Sequence, residues 1–309
     1  LHRSMSVLRS EGVNPVVTMD FMSTSTGVFC GINEVKSLLS KVLPESNRDV
    51  WALEEGSSLL DQELVLQITA PYCSFGVYET AITGMMSHSS GWATASRECV
   101  EAAAGVPVIS AGSSLVHPNV AGVMDYSAVI GGCVSCTTTL GSKLAGINPS
   151  GAISPNVILL IGDAVMAMQN FDNNMPAEVP RMAPVNVVKD ELEETLALAR
   201  VMGQRLRGII LDGKADITPS GVKELRARLL LAGYSHVEIL IRGNISPADI
   251  RLYSAMGVFV NAFGIVDYIS SARPIGFKSN ISKVDETPTA IRGNMPGAGL
   301  NARLINIIQ

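Results

Sequence analysis

Gly208-Ile-Ile-Leu211, Ser220–Ala232, Val237-Glu-Ile-Leu-Ile241, Pro247–Met256 and Val260-Asn-Ala-Phe263 follow one another in the last third of the chain. Strand-sized apolar runs alternate here with segments of helical spacing. Two helix starts are marked. Ser220 precedes a run with Glu224 and Leu225, and Ser246 precedes Pro247, whose missing N–H costs nothing in a first turn. A strand-then-helix unit, repeated, calls for a parallel sheet with helices outside it. The same rhythm begins near residue 105. Val106–Ser110, Ser127–Ile130, a run from Ile153 or Val157, and Pro184–Val188 read as strands; Leu140–Leu144, Ala164–Phe171 and Glu191–Met202 read as helices. About seven such units predict closure into an irregular parallel α/β barrel.

Before residue 105 the rhythm is absent. Ser4–Ser10 reads as the tail of a helix, Val16–Phe21 as a strand, Glu34–Leu39 as a helix fragment, and Leu64-Val-Leu-Gln-Ile68 as a strand ended by Pro71. Gly76–Ala104 has the spacing of one kinked helix or two consecutive ones. The expected organisation is an α+β domain over 1–104, the barrel over 105–276, and a segment over 277–309 that returns to the first domain. That tail carries Gly293, Pro296, Gly297 and Gly299.

The 309 residues are 47% hydrophobic and 17% charged, below the roughly 25% charged typical of globular domains. The apolar surplus predicts much buried sheet and a subunit interface. A formal net charge of -5, with no basic tract, gives no reason to expect a nucleic-acid partner. The longest greasy stretches, Val157–Ile161 and Val258–Ala262, are strand-sized, so membrane insertion is not expected. Leu1-His-Arg-Ser4 does not read as a natural start, and no targeting segment can be read. The five cysteines, Cys30, Cys73, Cys99, Cys133 and Cys136, predict reduced thiols and an intracellular protein, cytoplasmic or organellar. Cys133-Val-Ser-Cys136 has half-zinc-site spacing, but no second such pair exists and the four histidines are scattered. Packed thiols are the expectation, with no metal ligand set.

A barrel places its chemistry on loops at the carboxyl ends of its strands. Glu11-Gly-Val-Asn-Pro15, Phe75-Gly-Val-Tyr-Glu-Thr80, Ser90-Gly-Trp-Ala-Thr-Ala-Ser-Arg-Glu98, Val116-His-Pro118, Ile130-Gly-Gly132, Gly162-Asp163, Phe171-Asp172, Val179-Pro-Arg181, Lys189-Asp190 and Leu211-Asp212 follow one another in order along the chain. By these stretches, across nearly its whole length, the chain resembles the nicotinate phosphoribosyltransferase family. The resemblance implies a type II phosphoribosyltransferase fold, an oligomer of at least two copies, and the joining of nicotinate to phosphoribosyl pyrophosphate with release of pyrophosphate. Mg²⁺, and ATP as a stimulant, would accompany that reaction.

The resemblance weakens where substrate would be touched. The family's Phe-Gly-Ser/Ala-Arg-Arg/His stretch is here Ala111-Gly-Ser-Ser-Leu115, with Ser114 and Leu115 in place of basic residues. Gly151-Ala-Ile-Ser-Pro155 has Pro155 where ATP-using members carry a phosphate-accepting histidine. Val185-Asn-Val187 replaces Val-Asp-Thr. Ile210 replaces the arginine that grips the nicotinate carboxylate, and the next loop is clipped to Gly213-Lys-Ala-Asp216. The Ser-Gly-Gly phosphate loop becomes Arg242-Gly-Asn244. The Phe-Gly-Val-Gly-Ser/Thr loop becomes Phe263-Gly-Ile-Val-Asp267, with a carboxylate where an anion would sit.

The family-position residues to locate are therefore Tyr78, Thr80, Arg97, Ser114, His117, Asn186, Ile210, Asp212, Arg242, Gly243, Asn244, Gly264 and Asp267. None is assigned a catalytic role from sequence. Arg97 could reach an anion or form a helix-surface ion pair, Asp212 could cap a helix, and Asp163 is expected to cap the helix through Phe171. The primary reading is a catalytically degenerate member, with no cofactor, acting as a structural or regulatory subunit of a homo-oligomer or larger assembly. The alternatives are an active phosphoribosyltransferase for nicotinate or a related neutral base, and a small-molecule binding module. In the last, Ile210, Leu115 and Val266 would line the former active site, with Asn186, Asn244 and Ser114 at its rim.

Overall fold

The computed structural model describes residues 2–212, 218–294, 296–297 and 299–308. The chain forms two compact units, residues 1–94 with 272–309, and residues 95–271. The expected α/β class, a parallel sheet accompanied by an α+β unit, is the observed one.

The first unit is built on a six-stranded antiparallel sheet. Its order is Thr287–Pro288, Phe277–Val284, Val16–Ser23, Leu64–Pro71, Asp49–Ala52 and Ile305–Ile308. Residues 277–284 pair with 16–23 over most of their length, which places the chain's late segment beside its first strand. Phe21, Leu66 and Ile68 from the sheet pack with Leu39 from the Ile32–Val42 helix and with Phe75. Asp20 is buried in a central strand, and its carboxylate is satisfied by Gln67 Nε2 and by the Gly299 amide, both at 2.8 Å.

The second unit carries a six-stranded parallel sheet in the order Ser135–Cys136, Val108–Ser110, Ala262–Ile265, Glu238–Gly243, Gly208–Asp212 and Met182–Val185. Successive side chains on a strand point to opposite faces. Ile209, Leu211, Ile239, Ile241 and Ile265 therefore share one core with Leu198, Leu225, Leu229 and Ile250 of the helices. The intervening positions face the other way, into the sheet's concave side. That alternation builds both the core and the site.

Several local expectations are corrected. Ser127–Ile130 and Val157–Ile161 are not strands; they lie in the helices Pro118–Gly131 and Pro155–Ile161, which leaves five of the seven expected strands, and Ser135–Cys136, not expected from sequence, makes six among the described residues. Gly76–Ala104 is one 3₁₀ turn, Gly76–Tyr78, followed by a single 25-residue helix, Glu79–Ala103. The helix after residue 217 starts at Pro219, and Thr218 caps it by accepting from the Gly221 amide at 3.1 Å, so Ser220 is not the cap. Ser246 does cap its helix, in a reciprocal box with Asp249. Those hydrogen bonds from Ser246 also hold the Asp249 carboxyl below its ordinary range.

Candidate functional site in the parallel unit

A cavity of about 330 Å³ lies on the concave side of the parallel sheet, at the lower end of the roughly 300–1,000 Å³ range of small-molecule sites. Its apolar wall comes from Ile109, Met182, Pro184, Ile210 and Leu240, one or two inward positions from each of four strands. Arg242, on the strand of Leu240, and Gly264, on the strand beside it, complete that wall. The segment from Ser150 to Pro155 lines the same space. It is stitched to an edge strand, since the Ser150 amide donates to Cys136 O at 2.8 Å and Ser135 Oγ donates to Asn148 O at 3.1 Å.

Ile210, Arg242 and Gly264 are the family-position residues that meet in this cavity. Arg242 is clasped by Asp212: its Nε and Nη2 donate to the two carboxylate oxygens, each at 2.6 Å. Asp212 thus binds the neighbouring strand's arginine and does not act as a helix cap. The clipped loop Gly213-Lys-Ala-Asp216, with Lys214, lies outside the described residues.

The other candidates stand elsewhere. Ser114 and Leu115 are exposed in a 3₁₀ turn, and neither Leu115 nor Val266 lines the cavity, contrary to expectation. His117 is exposed and caps the helix Pro118–Gly131, its Nδ1 accepting from the Asn119 amide at 3.2 Å. Arg97 donates from Nε to Gly131 O at 2.8 Å, tying two helix ends together where an ion pair was one expectation. Asn186 follows its strand in a left-handed conformation, φ 63. The amides of Val187, Val188 and Lys189 after it converge on the buried Glu194 carboxylate at 2.9–3.0 Å. Asn244 is exposed. Tyr78 and Thr80 belong to the first compact unit.

Where the two loops expected to cradle phosphate leave the sheet, its parallel ladder already takes a backbone donor. The Val266 amide donates to Gly243 O at 3.0 Å, and the Ile245 amide donates to the same oxygen at 3.0 Å. A Cβ at Gly112 would lie 1.9 Å from Val266 O, so the loops after Ser110 and Ile265 touch backbone to backbone. Asp267 is exposed in the first turn of the short helix Asp267–Ser270. Both oxygens of Asp212 face Arg242, and among the described residues no group of three or more His, Cys, Asp or Glu could hold a metal.

The cysteines are placed as packed side chains. Cys133 and Cys99 are buried, and burial is the main force pushing each thiol up to about 12; Ser96, 3.1 Å from Cys133, opposes it in part. The sequence reading missed Thr137, Ser150 and Ser154, which bring hydroxyls to the cavity wall. For Ser154 the signal stands in Gly151-Ala-Ile-Ser-Pro155, a serine before a proline.

A parallel α/β sheet whose strand ends surround one cavity, accompanied by an α+β unit, is the architecture of a type II phosphoribosyltransferase. The family described as quinolinate phosphoribosyl transferase matches by its N-terminal domain over residues 6–90 and by its C-terminal domain over residues 92–278. The chain belongs to that family. A solved structure of nicotinate-nucleotide pyrophosphorylase from Pyrococcus furiosus superposes with a TM-score of 0.87 at 34% identity, over 96% of this chain and 77% of that one. Human nicotinic acid phosphoribosyltransferase shares the fold, with a TM-score of 0.70 at 15% identity over 96% of this chain and 76% of its own. In sequence, nicotinate phosphoribosyltransferase pncB2 of Mycobacterium tuberculosis is 25% identical over 220 residues, 70% of this chain. The chain spans about half the length, 47%, of that curated relative. Among the described residues no helix is long and apolar enough to cross a membrane.

Proposed function

We propose that this chain is a nicotinate phosphoribosyltransferase-like protein whose barrel cavity receives an uncharged ring. One observation carries the reading: Ile210, at the position of the family's carboxylate-gripping arginine, is a 6% exposed wall residue of the cavity. An apolar wall there favours a flat neutral ring and penalises a desolvated carboxylate. The names of the relatives support phosphoribosyl transfer as the chemistry. The ring nitrogen would bond to the sugar C1 as the C–O bond to pyrophosphate breaks, with Mg²⁺ arriving on the diphosphate.

A second reading, catalytic degeneracy, is favoured by a different observation. The Val266 amide is already spent on Gly243 O, and Asp267 adds negative charge beside it. A diphosphate would meet few free donors there. In that case the chain would serve as a structural or regulatory subunit of a homo-oligomer or larger assembly, in keeping with its 17% charged composition. Fold alone does not choose between them.

Incubation of the purified chain with phosphoribosyl pyrophosphate, Mg²⁺ and either nicotinate or nicotinamide decides the chemistry. Mononucleotide formed from nicotinamide and not from nicotinate is the outcome expected of an active neutral-ring transferase. Turnover of nicotinate at a comparable rate overturns the neutral-ring proposal. No product with either base, together with calorimetric binding of nicotinamide, selects the degenerate reading.

A further inference from the structure

Among the described residues Arg242 is the charged one lining the cavity, and its partner is fixed by the sheet itself. Arg242 and Asp212 are Cα partners on adjacent parallel strands, so their side chains leave the sheet on the same face. On the other side, Arg242 is in register with Gly264, where a Cβ would press to 3.1 Å and 3.2 Å from Arg242 Cγ and Cβ. Glycine there leaves the arginine stem room to lie toward Asp212. The resulting fork, two bonds of 2.6 Å, needs little further ordering of either side chain.

A guanidinium carries five N–H donors. Two go to Asp212, and among the described residues the remaining three have no protein acceptor. The pair as a whole is neutral. It therefore presents hydrogen-bond donors to the cavity without a net positive charge, beside a carboxylate that repels a second one.

We propose that Asp212 is the specificity-determining residue of this cavity. By clasping Arg242 it turns an anion site into one for an uncharged heterocycle that offers a carbonyl or carboxamide oxygen. A ligand carboxylate would have to displace Asp212 from the fork, whereas a neutral acceptor uses the donors left over. This inference rests on the cavity being a ring site, as proposed above.

Nicotinamide and nicotinate, which differ in a carboxamide against a carboxylate, are the probes, read by isothermal titration calorimetry on the full chain. The unaltered protein is expected to bind nicotinamide at least about tenfold more tightly than nicotinate. Asp212→Asn, and independently Asp212→Ser, should raise nicotinate affinity by about tenfold or more and erase that preference. Arg242→Met should weaken nicotinamide binding in the parent and abolish the nicotinate gain when combined with Asp212→Asn. Thermal melts establish that each variant is folded, and Asp212→Ser stands in should Asp212→Asn fail to fold. A preference unchanged in folded Asp212 variants that still bind nicotinamide overturns the role of Asp212 and leaves the cavity reading intact. Absence of binding by either ring to the unaltered chain overturns both.

Discussion

Arg181 shows how a charged residue can be retained for the fold alone. It is 8% exposed, and all its donors are used: Nε to Asp172 Oδ1 at 2.7 Å, Nη1 to Pro176 O and Val179 O, and Nη2 to Asp172 O and Met175 O. The guanidinium organises the turn that follows the Ala164–Asn174 helix. Arg181→Met would leave those acceptors buried, and urea unfolding should register a loss of about 3 kcal/mol. Asp172 keeps Arg205 as a second cation, which holds the cost to the low end. Arg181→Lys should recover little, because an ammonium cannot span the same fork. The buried thiols make a separate prediction. Cys99 and Cys133 are raised from about 9 to about 12 in the folded chain, chiefly by burial, so unfolding above pH 9 releases protons that folding retains. Stability is full below pH 9 and falls as pH rises toward 12, by up to about 1.4 kcal/mol per pH unit for each thiol. Urea midpoints measured from pH 8 to 10.5 should decline, and Cys133→Ala should make the decline shallower.

Helix starts show what was legible and what was overlooked. Ser246-Pro247 was read correctly because a capping hydroxyl precedes a proline at the first turn. A capping hydroxyl before proline recurs at Ser154-Pro155 and Thr218-Pro219, an imidazole cap takes its place at His117-Pro118, and each opens a helix. Ser127–Ile130 and Val157–Ile161 are helical against expectation because runs of three or five apolar residues fit a strand or a buried helix face equally well. The upstream cap and proline decide between them. Replacing Ser246 by Ala should cost about 1 kcal/mol, from the lost cap. The loop after Val185 makes a stronger test, because Glu194, 2% exposed, receives three consecutive amides. Glu194→Gln substitutes an N–H₂ donor for one acceptor oxygen and should destabilise by about 1–3 kcal/mol. Hydrogen exchange should quicken over residues 187–189 in that variant while the Gly208–Asp212 strand keeps its protection.

The parallel fold was legible because its repeat is written in alternating apolar runs; the site was only half legible because it depends on register. Ile210, Arg242 and Gly264 converge through strand pairing, and no local pattern announces that Asp212 stands opposite Arg242. The losses of arginine and glycine are plain in sequence, but the use of the Val266 amide is not, since it rests on the ladder bond to Gly243 O. This changes what a reversion can achieve. Ile210→Arg returns the family's cation to the cavity wall, two residues from Asp212 and on its face of the strand. There it competes with Arg242 for one carboxylate, and a second guanidinium in an apolar wall should lower the melting temperature. Nicotinate binding is expected to improve in this variant, because the cavity gains net positive charge. Under the degenerate reading mononucleotide synthesis should not appear, even when Asn244→Gly, Val266→Gly and Asp267→Ser are added. Glycine at 266 restores freedom, but its amide keeps the Gly243 carbonyl as partner, and Gly112 still packs against the carbonyl of residue 266. Chromatographic detection of mononucleotide from the fourfold variant with phosphoribosyl pyrophosphate and Mg²⁺ would mean that a diphosphate can open that backbone bond. The loops would then be a poised site, and the transferase reading would displace the degenerate one.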